Sequence, residues 1–139
     1  MCLMIDKDKT EEVKNEDWKE KTFYKFLDVE GGKLKSPFTK YMWNKGINFP
    51  EKVDHIESED GSITSGALHV HSKIEDAADW ILPPKANGEP REYAIVKVVC
   101  KKKHFIARSE GGNYAFSEVH LSQEEYEAAL RGERILESA

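Results

Sequence analysis

Apolar and polar positions alternate most cleanly in "EYAIVKVVCKK", Glu92 to Lys102, where Ala94, Val96, Val98 and Cys100 fall on one side and Tyr93, Ile95 and Val99 on the other. Strand side chains repeat every two residues, so a run apolar on both sides predicts a strand in the middle of a sheet. "TFYKFLDV", Thr22 to Val29, is rich in aromatic and β-favouring residues and runs into the glycine turn of "EGGKL", which predicts a second strand. "ALHVH" alternates as a third, with Leu68 and Val70 on one face and Ala67, His69 and His71 on the other. "HFIAR" and "YAFSEVHL" read as further strands separated by the turn "SEGGN", and "VDHIESEDGSITSG" as a short strand or an exposed loop.

Two stretches switch to a helical period. Ser72 and Glu75 form a capping box ahead of Ile74, Ala77, Ala78 and Ile81, and the prolines at 83 and 84 end that helix. Ser122 and Glu125 repeat the box ahead of Tyr126, Ala129 and Leu130, with Gly132 as the C-terminal stop. The expected fold is therefore α+β, a single domain with a mainly antiparallel sheet of four to six strands and two short amphipathic helices, because hairpin turns are frequent and long crossover helices are missing. Residues 1–21 read as a charged N-terminal arm, extended or forming a short surface helix outside the core, and 22–139 as the domain.

Composition narrows the class. With 26 acidic against 21 basic residues the net charge is −5, which argues against general nucleic-acid binding and favours protein or small-molecule partners; the Lys101–Lys103 run reads as a solvated strand end. No apolar run approaches the roughly 18 residues that span a bilayer, and "MCLMI" is too short for a signal-peptide core, so no membrane association and a cytoplasmic location are expected. The two cysteines, Cys2 and Cys100, do not form a disulfide framework.

Candidate chemistry centres on three places. His69 and His71 share a strand face, but no C-x-x-C, H-E-x-x-H or second ligand cluster accompanies them, so no metal is expected, and no phosphate or dinucleotide loop signals a cofactor. The bland alternative has His69 half-buried with a hydrogen bond and His71 solvated just before the helix. Cys2, once Met1 is removed, lies beside an α-amino group able to act as a base, so Cys2 as nucleophile with His69 as general base is a workable catalytic pair. Structurally, Cys2 reads instead as the first buried side chain of an N-terminal strand. The aromatic segment Leu34 to Pro50, with Phe38, Tyr41 and Trp43, predicts irregular packing over the sheet or the lining of a binding cleft to which His71 adds.

Taken together, the Met-Cys-Leu start, Tyr24–Lys25, Ser36–Pro37, Gly66 with His69, and Asp76–Ala77 resemble a family of small uncharacterised bacteriophage and prophage proteins. Here one extra residue separates the glycine from the histidine. The resemblance implies a phage or mobile-element origin and no established activity. The function expected from it is a soluble accessory protein that binds a host protein and inhibits or redirects it, such as a defence factor, in the host cytoplasm. The alternative is a cysteine-dependent hydrolase or transferase using Cys2 and His69.

Overall fold

The computed structural model describes residues 3–4, 6–36, 41–49, 62–63, 68–78, 92–109 and 112–132. Its elements in chain order are β1 (Leu3–Met4), α1 (Lys7–Asn15), β2 (Glu20–Glu30), β3 (Lys33–Lys35), β4 (Met42–Trp43), β5 (Gly46–Asn48), β6 (Ser62–Ile63), β7 (Leu68–His71), α2 (Ile74–Ala78), β8 (Tyr93–Lys101), β9 (Phe105–Arg108), β10 (Asn113–Phe116), β11 (Val119–Leu121) and α3 (Gln123–Leu130). The α+β class with an antiparallel sheet is as expected. The strand count is not: the main sheet has nine strands in the order β5-β11-β8-β2-β7-β10-β9, with β3 on β2 and β4 on β3, and β1 pairs with β6 in a separate ribbon.

The long β2 organises this sheet. It runs antiparallel to β8 over nine pairs, Glu20 opposite Lys101 through Asp28 opposite Tyr93. Opposed residues share a face, so Phe23, Lys25, Leu27 and Val29 lie in one row with Val98, Val96 and Ala94. That row forms the main core with Leu34, Trp43, Leu68, Val70, Phe116, Val119 and Leu121, and Ala129 of α3 closes it, flanked by Tyr126 and Leu130. The opposite row, Tyr24 and Phe26 with Tyr93 and Ile95, packs under Ile74 and Ala77 of α2. β8 is thus central and apolar on both sides.

The start of α3 carries the cap written in the sequence. Ser122 Oγ accepts a hydrogen bond from Glu125 N at 3.2 Å, and α3 ends at Gly132 with φ +79°, a left-handed value that glycine reaches at least cost. Residues 79–91, which include Ile81 and the proline stop expected for α2, lie outside the described residues.

Three expectations change. The charged N-terminal segment forms a helix capped by Asp6, whose carboxylate accepts from Lys9 N at 2.9 Å, and it does reach the core: Thr10 and Val13, three apart on one helical face, are buried. Thr10 Oγ1 accepts from Arg108 N at 3.0 Å, which ties α1 to the end of β9. "YAFSEVHL" is two strands and not one. Ser117 N donates to His104 O at 2.9 Å at the end of the β10–β9 pairing, after which the chain leaves β10 beside β7 to form β11 beside β8. The Leu34–Phe49 segment is less irregular than its prolines suggest, because β3, β4 and β5 are built from it.

Candidate functional site

Tyr24 and Lys25 of β2 and His69 and His71 of β7 come from distant parts of the chain, and the sheet brings them together at the junction of β2 and β7. Tyr24 lies directly opposite His71, and this single pair is the whole ladder between the two strands. On its other edge β7 is fully zipped to β10, His71 opposite Asn113 and His69 opposite Ala115. The ladder goes no further than Tyr24 and His71; beyond it Lys25 lies on the core-facing side with Val70 and Leu68, and His69 on the opposite side with His71.

Lys25 occupies the core-facing row of β2 between Phe23 and Leu27 and opposite Val96, all at most 2% exposed, yet keeps part of its own surface open. Burial drives its ammonium down from 10.5 to about 8, since a cation held in an apolar setting loses hydration. His69, also partly open, is pushed from 6.5 to about 4, first by burial and then by the charges of Lys25 and His71. At neutral pH His69 is thus an uncharged imidazole, close enough to feel the Lys25 charge but on the opposite face of the sheet from it.

His71 is 5% exposed, and not solvated as its place before a helix suggested, because β2 and β10 flank it and the buried Asn113 lies across from it. Cys2, the proposed partner of His69, and Phe38 lie outside the described residues. Cys100 is sealed in the core with its thiol pushed up by burial, which suits packing and not nucleophilic attack. Among the described residues no cluster of three or more His, Cys, Asp or Glu side chains is placed to hold a metal, and no helix is long and apolar enough to cross a membrane.

The sign of the His69 linkage is fixed by its direction. Between pH 6.5 and 4 the unfolded chain takes up a proton at this position that the folded chain refuses, so stability falls as pH falls through that window. At 1.36 kcal/mol per pH unit, reduced for partial exposure, the loss is about 2–3 kcal/mol. Urea unfolding at pH 6.5 and pH 4 will show that much more acid destabilisation in the wild type than in His69→Gln. An equal slope in both would contradict it.

The aromatic segment divides by period. Trp43 is 2% exposed and its Nε1 donates to Ser36 Oγ at 2.7 Å, so it is a core residue and does not line a cleft. Tyr41 stacks edge-on against Trp43 at 5.8 Å and its hydroxyl donates to Phe49 O at 3.0 Å, pinning the segment. The exposed apolar side chains are Met42, Ile47 at 56% and Phe49 at 61%.

Their support is rigid. The fully buried Asn48 accepts from Asn44 N at 2.7 Å and donates to Asn44 O at 2.8 Å, closing the loop that presents Ile47. Ile47 borders an open groove of about 320 Å³ with Val99, Lys101, His104, Glu118 and His120, in which His104 Nε2 and Glu118 Oε2 lie 3.0 Å apart. Ile47 was not singled out from the sequence, although its place between a glycine and a short polar residue is that of a displayed side chain.

No protein-family model matches the chain, and no curated protein and no solved structure is significantly similar to it.

Proposed function

We propose that this chain is a small phage-type accessory protein that acts by binding a host protein, and that it docks through the outer edge of the sheet at β5. The observation that carries the reading is the exposure of Ile47 on β5, a strand that pairs, among the described residues, on one side only, and of Phe49 just beyond its end. Displayed apolar side chains on a rigid edge, beside a charged groove, have the make-up of a binding surface with an apolar centre and a polar rim. The net charge of −5 selects a basic partner, and the phage likeness of the chain points to a host factor, such as a defence protein, as that partner.

Affinity capture from host lysate, with a photo-crosslinking residue at position 49, tests this. One protein should crosslink through that position, and Ile47→Asp should weaken its capture about tenfold or more, the loss expected for an apolar contact central to an interface. Raising the salt should slow its association. Capture unaffected by Ile47→Asp, or crosslinks only between copies of the chain itself, would overturn the reading.

A further inference from the structure

We propose that the open groove bordered by Ile47 is a catalytic site that cleaves short single-stranded RNA, with His120 as the base and His104 as the acid. The activity belongs to the chain by itself and needs no host partner, so it goes beyond protein binding. The groove, of about 320 Å³, gathers five chemically active side chains, Glu20, Lys101, His104, Glu118 and His120. The fold places them from three directions. His120 of β11 pairs with Val99 of β8, and Lys101 and Glu118, each two positions from that pair, line the same groove. His104, in the turn that follows β8, reaches Glu118: its Nε2 lies 3.0 Å from Glu118 Oε2. Two imidazoles and an ammonium thus surround one opening whose other walls, Val99 and Ile47, are apolar. Its size is at the low end of small-ligand sites, about 300–1,000 Å³.

The surroundings divide the roles. Glu118 holds the His104 ring by Nε2 and leaves Nδ1 for a ligand. The same carboxylate balances the charge of an imidazolium, which suits His104 to hand a proton on. His120 is exposed and bonded to no carboxylate among the described residues, which suits it to take a proton up. Lys101 is exposed and in no ion pair among the described residues, so its charge is open to a phosphate. In the reaction His120 removes the proton of the ribose 2′-hydroxyl, and that oxygen attacks phosphorus. The P–O5′ bond breaks, its electron pair leaves on the 5′ oxygen, and His104 gives that oxygen its proton. Lys101 faces the negative charge that builds on the phosphoryl oxygens. The products are a 2′,3′-cyclic phosphate and a 5′-hydroxyl, and proton exchange with water resets both rings. The 2′-hydroxyl is the nucleophile, so RNA is selected over DNA. The net charge of −5, and Glu20 opposite Lys101, repel a long polyanion, so the substrate is short.

A tetranucleotide RNA carrying a fluorophore and a quencher tests the site on the full chain, in EDTA, beside the same oligomer made of DNA. The RNA should be cut to a 2′,3′-cyclic phosphate, identified by mass, and the DNA left whole. His104→Gln and His120→Gln should each lower kcat about 100-fold or more, the range of a lost general acid or base. Glu118 is a positioning residue, so Glu118→Gln should lower kcat about tenfold and leave KM unchanged. Glu20→Gln should lower KM, because it removes a charge that repels the phosphate. Uncut RNA, or DNA cut as fast as RNA, overturns the proposal, and the wild type alone decides both points. Wild-type cleavage by a folded His120→Gln or His104→Gln chain overturns it as well. No host protein enters any of these measurements.

Discussion

Replacing Phe116 with alanine is expected to lower the unfolding free energy by about 3–5 kcal/mol, the cost of deleting a fully buried aromatic ring and leaving its cavity. Phe116 is 0% exposed and is the meeting point of the main core: its ring lies 5.2 Å from Phe23, 5.6 Å from Phe105 and 6.4 Å from Trp18, all near edge-to-face. These partners come from β2, β9 and the segment that follows α1, so one side chain joins that segment to three strands of the sheet. Denaturant unfolding should show a lower midpoint at unchanged slope. A loss below about 1 kcal/mol would mean that the core closes over the gap, contrary to the packing described. The change also reaches the candidate site, since Phe116 lies opposite Leu68 and Ala115 opposite His69 on the β10–β7 ladder. With that ladder loosened, water reaches His69 and its pKa should climb back toward 6.5.

Lys25→Met is expected to stabilise the protein by about 2–3 kcal/mol at pH 7. The lowering from 10.5 to about 8 corresponds to roughly 3 kcal/mol at 1.36 per unit, and partial exposure reduces it. Methionine keeps the length of the side chain and removes the charge that burial penalises. The gain should depend on pH in a stated direction. Between about 8 and 10.5 the folded wild type releases its Lys25 proton while the unfolded chain keeps it, so wild-type stability rises with pH across that window and the advantage of the variant shrinks by the same 2–3 kcal/mol. Unfolding curves at pH 7 and pH 10.5 measure both quantities. A variant no more stable than wild type at pH 7, or an advantage constant across the window, would contradict a buried Lys25.

What could be read from the chain followed the range of the interactions involved. The central position of β8 and the start of α3 rest on local pattern and local hydrogen bonds, and both are where the sequence placed them. The strands β3, β4 and β5 are two or three residues long, too short for a period of two to show, and their omission accounts for much of the gap between four to six strands and nine. The division of "YAFSEVHL" shows only in its partners, β7 and β9 for the first half and β5 and β8 for the second, which no local pattern reports. His71 looked solvated because its covers, Tyr24 and Asn113, lie more than forty residues away in either direction.

Lys25 was hidden for a different reason. In "TFYKFLDV" both alternating rows are largely apolar, so the sequence marks a strand without saying which row faces the core, and a lysine in such a run reads as an exposed position. Only the β2–β8 register shows that its row, with Phe23 and Leu27, is the one that joins Val98, Val96 and Ala94 in the main core. His69 was chosen from the sequence, but for its neighbour in "HVH" and for Cys2; its paired neighbour in the sheet is Ala115. In the aromatic segment, the residues buried most firmly were the ones that looked most like a binding surface, Trp43 above all, whereas Ile47 is displayed. Large aromatic rings are the side chains a small core needs most, which is why type alone did not separate the two roles.

That the β2–β7 junction holds a lysine and a histidine below their ordinary pKa values is tested most directly by NMR titration of the full chain, following the Lys25 ε-carbon and the His69 ring protons. Midpoints near 8 for Lys25 and near 4 for His69 are the predicted result. Midpoints at the ordinary 10.5 and 6.5 would contradict it, because both groups would then be in water and not held by burial at this junction.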